Sequence, residues 1–177
     1  TTTDTGGGAV EGFKQYDKVR QGRDGTPILL RAYEYTEHAL TVDLGGGASS
    51  SSSGGATALV ITVYPLAKET RYRQEDGSGA RETRYAYSWQ AGTVQMQERI
   101  TTWPAIPESQ NGSGTAATRT ERFDTLGNRI WLRDERGFLT YHEYAAGPGL
   151  VSRTIQGVDD AQLSVPAGWS TPVGGGL

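Results

Sequence analysis

The sequence predicts an all-β fold built from short antiparallel hairpins, and three observations lead to that prediction. Apolar and polar residues alternate with a period of two in several separate stretches. Turn residues, mostly Gly with Asp or Asn, separate these stretches at intervals of about 10 to 20 residues. No window of the chain has the 3.6-residue apolar stripe of an amphipathic helix. This pattern is typical of a sandwich, a barrel or a β-solenoid made of repeats.

The composition favours half-buried sheets and excludes several classes of site. Hydrophobic residues make up 35% of the 177 residues, and the aromatic residues are nine Tyr, four Trp and three Phe. Tyr suits a half-buried sheet because its ring packs while its hydroxyl stays in water. A net charge of −3 provides no basic footprint for nucleic acid or an anionic membrane. The absence of Cys excludes thiol nucleophiles and Cys-ligated metal sites, and no apolar run approaches the ~20 residues of a membrane helix.

The clearest pattern lies between residues 121 and 154, which divide into four predicted strands. The predicted strands are 121–123, 129–133, 138–144 and 150–155. Gly127 and Asn128 form the first reversal, since both residue types tolerate a positive φ. Asp134 begins the second turn and Gly137 ends it, as a type I turn prefers. Gly147, Pro148 and Gly149 break the chain before the last strand.

A weaker version of this pattern begins at residue 13. Tyr16 and Asp17 form an aromatic–acid pair, and Asp24 with Gly25 forms a tight turn. Residues 28–35 then alternate apolar with polar side chains, which predicts the return strand of a hairpin.

The middle of the chain supplies three more predicted strands. Residues 59–64 (LVITVY) are the most β-prone run in the chain and predict a central strand that is covered on both faces. Residues 81–89 alternate after a turn between Asp76 and Gly79. Residues 93–103 alternate as well, and proline ends the strand.

Composition divides the chain into three parts. Residues 1–12 are rich in Gly and Thr and are expected to be a leader or linker. Residues 13–156 carry the β pattern, interrupted at 45–55 by a Gly/Ser-rich tract that predicts a flexible loop. Residues 157–177 lose the alternation and predict a Gly/Pro-rich tail with one short strand near 163–165. We expect this tail to continue into a longer polypeptide.

The spacing of turn and aromatic residues resembles the YD repeat of the RHS family, which includes the shell region of teneurins. That repeat has an aromatic–Asp pair, then Gly-Asn or Gly-Arg, an Asp-x-x-Gly turn and a Tyr-containing strand. The matching residues are Tyr16, Asp17, Asp24, Gly25, Asp76, Gly79, Phe123, Asp124, Gly127, Asn128, Asp134, Gly137, Tyr141 and Tyr144. The match is densest over residues 116–156, where Phe123 replaces the usual Tyr, and residues 93–129 resemble large RHS-type surface proteins of planctomycetes.

This resemblance implies a secreted or cell-surface bacterial protein whose repeats form one continuous, spiralling sheet. Such a sheet builds a shell, a solenoid or a fibre. The first hypothesis for function is therefore structural, with exposed sheet edges that pair with neighbouring repeats or identical copies.

Five Asp residues at turns and strand ends support two interpretations. The five are Asp17, Asp24, Asp76, Asp124 and Asp134. Two carboxylates across a sugar bond would hydrolyse a glycoside, whereas an Asp at a turn bonds its own backbone. The position of all five at turns or strand ends favours the structural interpretation, so we predict no catalytic site. His38 and His142 have no spacing that suggests a metal site, and no cofactor is expected.

The aromatic residues also support two interpretations. Tyr85, Tyr87, Trp89 and Trp131 are candidate glycan-contact residues. The spacing of Tyr85 and Tyr87 places both on one face of a strand, where they could equally form a cross-strand ladder that stabilises the sheet. We favour the ladder. An extracellular carbohydrate-binding or adhesion module is the second hypothesis for function, and a glycoside hydrolase is the third.

Overall fold

The computed structural model describes residues 7–43, 58–145 and 149–176, and these residues form an all-β fold, as predicted. The strands are β1 (Tyr16–Val19), β2 (Ile28–Tyr35), β3 (His38–Asp43), β4 (Ala58–Val63), β5 (Leu66–Arg71), β6 (Arg81–Trp89), β7 (Met96–Thr102), β8 (Thr118–Phe123), β9 (Arg129–Arg133), β10 (Leu139–Tyr144) and β11 (Val151–Gln156). One turn of 3-10 helix, Glu108–Gln110, lies between β7 and β8. The predicted Gly/Ser-rich loop at 45–55 and the predicted break at Gly147 and Pro148 lie outside the described residues.

Nine strands form one antiparallel sheet in the order β1-β2-β5-β6-β7-β8-β9-β10-β11. Each strand lies beside the next one in the chain, except that β3 and β4 form a separate two-stranded ribbon between β2 and β5. The first and last strands of the described sheet have no partner on their outer side. The sheet is therefore an open meander, and the described residues do not close it into a shell, a barrel or a solenoid.

Three hairpin loops share one hydrogen-bond pattern. They are residues 74–78, 124–128 and 134–138. In each loop the fourth residue is a Gly whose N–H donates to the carbonyl of the first residue, at 3.0 to 3.1 Å. These glycines have φ values of 81° at Gly77, 83° at Gly127 and 90° at Gly137. A type I turn followed by a left-handed Gly is a common three-residue hairpin connection, so the three loops are structural repeats of one another.

Aspartate side chains stabilise these loops. The Asp124 Oδ1 accepts hydrogen bonds from the backbone N–H groups two and four residues later, at 2.9 and 2.8 Å. The Asp134 Oδ1 makes both contacts with the same lengths. In the third loop the Asp76 Oδ1 accepts one such bond, at 2.8 Å. The prediction that turn aspartates bond their own backbone is confirmed for these three residues.

The main apolar cluster lies on one face of the C-terminal half of the sheet. Its buried members are Trp131 from β9, Leu139 from β10, and Val158 and Trp169 from the segment after β11. The Val158 N–H donates to the Leu139 carbonyl at 3.0 Å, which extends the pairing of β10 beyond the end of β11. Residues 157–176 thus fold back over the sheet and cover its apolar face.

The predicted strand near 163–165 is not formed, and the tail acts instead as a cover for the sheet. Leu163 and Val165 pack against the apolar cluster from irregular backbone. An irregular segment can place single side chains at uneven intervals, and its sequence then shows no alternation. For this reason the sequence pattern did not reveal a core element.

The prediction of a central, doubly covered strand at 59–64 is wrong. Residues 59–63 belong to β4, which pairs with β3 in the two-stranded ribbon, and Tyr64 lies just beyond the strand. Leu59 is 48% exposed and Val60 is 56% exposed. A high β propensity shows that side chains fit a pleated strand, but it does not determine how many strands lie beside it. Among the described strands, β4 pairs only with β3, its nearest neighbour in the sequence.

Candidate functional site

One face of the nine-stranded sheet carries a row of ion pairs built around Glu121. The register places Glu121 of β8 opposite Arg99 of β7. The Arg99 Nε donates to Glu121 Oε2 at 2.9 Å, and an Arg129 guanidinium nitrogen donates to Oε1 at 3.0 Å. Glu121 is only 5% exposed. Burial alone would raise the pKa of Glu121. The two guanidinium groups lower it by a larger amount, so that the pKa lies below its usual value.

The row continues to the C-terminal edge of the sheet. A guanidinium nitrogen of Arg129 lies 3.3 Å from His142 Nε2, and His142 Nδ1 lies 3.0 Å from the Thr154 hydroxyl. Burial lowers the pKa of His142, and the nearby Arg129 charge lowers it further. A neutral imidazole is therefore favoured in this row.

The N-terminal half of the sheet has a second buried carboxylate, Glu69 of β5. Glu69 lies on the same face as the Glu121 row and accepts from Arg71 Nε at 2.9 Å and from Arg31 at 3.4 Å. Nearby, the Tyr33 hydroxyl donates to Asp17 Oδ2 at 2.7 Å. Glu69 and Glu121 are thus both engaged by two arginines each, and neither presents an uncompensated carboxylate to solvent.

The four predicted glycan-contact residues do not form one surface. Tyr87 is 8% exposed and its hydroxyl donates to the Leu66 carbonyl at 2.6 Å, while burial raises its pKa to about 12. Trp89 stacks on His38 of the ribbon, with ring centroids 4.1 Å apart. Trp131 is 6% exposed, and the register places it on the sheet face opposite Tyr85 and Tyr87. Packing of these rings within the protein therefore prevents a shared stacking platform.

The remaining residues of the predicted repeat pattern have structural contacts. The Tyr141 ring packs on Trp131 with centroids 4.7 Å apart, and the Tyr144 hydroxyl donates to the Arg129 carbonyl at 3.0 Å. Phe123 ends β8 at the bulge between β8 and β9. The Asn128 side chain donates to Asp124 Oδ2 at 2.9 Å.

The N-terminal positions of the pattern differ from the later ones. Tyr16 is half-exposed on the edge strand β1, and Asp17 binds Lys14 and Tyr33 rather than its own turn. Asp24 and Gly25 lie in the β1–β2 connection, where a Cβ on Gly25 would lie 2.3 Å from the Gln21 carbonyl oxygen. Gly79 has a φ of 65° at the end of the loop before β6.

The connection between β7 and β8, where proline ends the predicted strand and residues 111–114 predict a loop, forms a compact loop whose closed shape the sequence did not predict. The Trp103 N–H donates to the Ala117 carbonyl at 2.9 Å, which holds the two ends together. Inside, the Gly112 N–H donates to the Pro107 carbonyl at 3.0 Å, and a Cβ on Gly112 would lie 1.9 Å from the Ile106 carbonyl oxygen. Compact loops with joined ends are frequently functional, and the length of this connection with its two prolines was the available signal.

This loop forms one wall of an open cleft of about 550 Å³ at the ends of β6 and β7. Three arginines line the cleft, Arg73, Arg81 and Arg84, together with Trp103 and Gln110. An Arg81 guanidinium nitrogen donates to Gln110 Oε1 at 2.8 Å and so connects β6 to the loop. The Arg119 guanidinium lies 5.2 Å from the centroid of the Trp103 ring and fixes its position.

Two further properties of the described residues bear on other classes of function. In residues 7–43, 58–145 and 149–176, no group of three or more His, Asp or Glu side chains is placed to hold a metal ion. The same part of the chain contains no helix of the length and apolarity that a membrane crossing requires.

Comparison with models of protein families, with curated protein sequences and with solved structures found no match to this chain.

Proposed function

We propose that this chain is a structural β-sheet module of repeat type, in which the sheet is extended by pairing between its edge strands and neighbouring repeats or identical copies. The observation that carries the proposal is the open nine-stranded meander, in which three hairpin loops share a single geometry. A meander of equivalent hairpins adds one strand after another without changing its interior contacts, which is how repeat proteins grow.

The two edges of the sheet are not equally suited to pairing. β1 has four residues and a bulge between Asp17 and Lys18. Short length, charge and bulges all hinder the addition of another strand. β11 has six residues, and although its pairing with β10 also has a register shift, between Glu143 and Tyr144, the register is regular from Arg153 to Gln156. We infer that β11 is the edge to which the next strand adds.

The resemblance to the RHS family supports the finer parts of the proposal. Residues 124–128 and 134–138 form the two turns of the YD pattern, and their identical hydrogen bonds agree with a repeated unit. On this basis we propose that the module belongs to an extracellular or cell-surface bacterial assembly, such as a shell or a fibre. No enzymatic activity is proposed, because Glu69 and Glu121 are each neutralised by two arginines.

Sedimentation velocity and negative-stain imaging of the purified chain test this proposal. We expect filaments or large, concentration-dependent assemblies, because an exposed strand edge is a template for further pairing. The variant Val151→Lys places a charge on β11 and should shift the protein toward the monomer. Leu126→Lys is the matched control, since Leu126 is an exposed apolar residue in a hairpin loop. Its assembly should match the wild type.

A stable monomer of 19.0 kDa at every concentration would contradict the proposal. Equal loss of assembly in Val151→Lys and Leu126→Lys would also contradict it, because it would show that apolar surface rather than the strand edge drives association.

A further inference from the structure

We propose that the cleft between β6, β7 and the 104–117 loop binds an acidic saccharide, with its carboxylate held by Arg73 and Arg81 and its ring against Trp103. This inference does not depend on edge pairing, because β6 and β7 lie in the interior of the sheet. It assigns a ligand site to a surface that a purely structural module would not require.

The charge of the cleft favours an anion. Three arginines and one glutamate line it, although the chain as a whole has a net charge of −3. Arg84 is paired with Glu82 at 2.5 Å, and Lys68 also lies 3.6 Å from Glu82. By contrast, no described Asp or Glu forms an ion pair with Arg73 or Arg81. Two guanidinium groups without an acidic partner remain available to a carboxylate, which they recognise with paired hydrogen bonds.

Two polar groups of the cleft, Arg81 and Gln110, are joined by a hydrogen bond before any ligand arrives. Gln110 Oε1 accepts the bond from Arg81, which leaves the Gln110 amide N–H groups free to donate to a ligand. Pro107 begins the turn that carries Gln110, and the backbone N–H of Gln110 donates to the Pro107 carbonyl at 2.9 Å. A proline and a closed turn restrict the motion of the donor, so less conformational entropy is lost on binding.

The apolar part of the cleft favours a ring over a simple ion. Trp103 lines the cleft beside Pro104 and Pro107, and Arg119, which stacks over the Trp103 ring, is not one of the lining residues. An indole next to hydrogen-bond donors suits the apolar C–H face of a sugar whose edge carries polar groups. A volume of about 550 Å³ lies within the range of small-molecule sites.

An acidic peptide is the competing anion, and the structure favours it less. Extended peptides are commonly bound by adding a strand to a free sheet edge. β6 and β7 pair on both sides within the sheet, so neither offers an edge to a peptide here. A compact ligand that enters the cleft from the ends of the strands fits this arrangement better.

Isothermal titration calorimetry with the full chain tests the proposal, using trigalacturonate as the probe. The neutral galactotriose and a tetraglutamate peptide are the matched ligands. We expect trigalacturonate to bind with a Kd of about 1 mM or tighter, and the other two to bind at least about tenfold more weakly. Backbone amide shifts in NMR spectra should map the contact to Arg73 and to residues 79–84 and 103–110.

Arg73→Gln and Arg81→Gln should each weaken trigalacturonate binding by at least about tenfold, because each removes charged hydrogen bonds to the carboxylate. Arg73 has no hydrogen bond or ion pair to another described residue, so its substitution leaves the loop in place. Arg23→Gln, at an exposed arginine in the β1–β2 connection, is the control and should change binding by less than about twofold.

Four results would overturn the proposal. They are an absence of binding at about 10 mM trigalacturonate, equal binding of galactotriose, equal binding of tetraglutamate, and equal weakening by Arg23→Gln and Arg73→Gln. Equal binding of the neutral sugar would show that the arginines do not contribute. Equal binding of the peptide would show a site for acidic chains in general.

Discussion

The two halves of the nine-stranded sheet are stabilised in different ways. In the C-terminal half, Trp131 and Leu139 are buried beneath a tail that adds Val158 and Trp169. In the N-terminal half, the described residues on the same face form an ion-pair row in which Lys68 contacts Glu34 at 2.6 Å and Glu82 at 3.6 Å. On this face, the C-terminal half therefore depends mainly on apolar burial, and the N-terminal half on ion pairs between charged side chains.

In this meander, a covering segment lies where the strands present large apolar side chains. β9 and β10 present Trp131, Leu139 and Tyr141 to one face, and the tail covers that face. β5 and β6 present Lys68 and Glu82 to the same face. The aliphatic stems of these side chains shield the backbone while their charges stay in water. The free energy of unfolding should therefore be more sensitive to substitution in the C-terminal half.

The largest effect is expected for Trp169→Ala. Trp169 contacts Trp131 edge to face with centroids 6.3 Å apart, and the Arg122 and Arg133 guanidinium groups lie 5.4 and 5.0 Å from its ring. Its loss should lower the free energy of unfolding by about 3–5 kcal/mol, as measured by urea denaturation. Val173→Ala, at a fully exposed residue of the same tail, is the control and should change stability by less than about 0.5 kcal/mol. Equal effects would show that the tail does not cover a core.

A smaller effect is expected for Glu121→Gln. The substitution removes the negative charge between Arg99 and Arg129 and leaves two partly buried guanidinium groups without compensation. We expect a loss of about 1–3 kcal/mol in urea denaturation. Glu143→Gln is the matched control, since Glu143 forms a single exposed pair with Arg153 at 3.5 Å, and it should cost less than about 1 kcal/mol. An unchanged free energy of unfolding in Glu121→Gln would mean that the ion-pair row contributes little to stability.

The same row predicts a pH dependence. The pKa of His142 is lowered from 6.5 in the folded protein by burial and by Arg129, so the unfolded chain binds more protons just below that pH. Stability should therefore fall as the pH decreases through about 6.5. His142→Asn should reduce this dependence between pH 7.5 and 5.5, as measured by thermal unfolding. An unchanged slope would show that His142 is not the titrating group.

Further acidification should remove a second contribution to stability, that of Glu121. The pKa of Glu121 lies below its usual 4.5 because the arginines outweigh burial, so its stabilising effect is complete above that pH. It is lost as the pH falls below about 4.5 and toward the folded-state pKa. The Glu121→Gln variant should lack this part of the acid transition, whereas Glu143→Gln should retain it.

The smallest effect is expected for Val60→Thr in the ribbon. Val60 is 56% exposed, so the added hydroxyl stays in water and the free energy of unfolding should change by less than about 0.5 kcal/mol. A doubly covered strand, as predicted from the sequence, would instead lose about 1–3 kcal/mol from a buried, unpaired hydroxyl. Urea denaturation distinguishes these outcomes and tests whether Val60 is exposed in the ribbon.

The sequence was sufficient to predict strands and turns where alternation and turn chemistry act within a few residues. β6 (Arg81–Trp89) and β9 (Arg129–Arg133) were predicted with their observed bounds, because each follows a Gly-containing turn and alternates throughout. The loops at 124–128 and 134–138 were predicted for the same reason, since Asp and Gly determine the turn locally.

Features that depend on distant residues were not predicted. The tail carries no periodicity, and the burial of Trp169 follows from a contact with Trp131 across the sheet. The cleft escaped prediction because Arg73, Arg81 and Trp103 belong to different elements, which the register of β6 and β7 and the loop bring together. Only the long connection with two prolines indicated it in advance.

The order of the strands has a consequence for how the chain folds. Apart from the step over the ribbon, each strand pairs with its neighbour in the sequence, so each new pairing closes only the connection between two successive strands, which limits its loop-closure entropy. Hairpins can therefore form progressively as the polypeptide emerges from the ribosome. The contact between Arg122 and Trp169 joins β8 to the segment after β11 and requires residues that are synthesised after the strands they cover. A newly made chain should thus present the Trp131 face to solvent until residues 157–176 have been added, which makes that interval the one most exposed to misassembly.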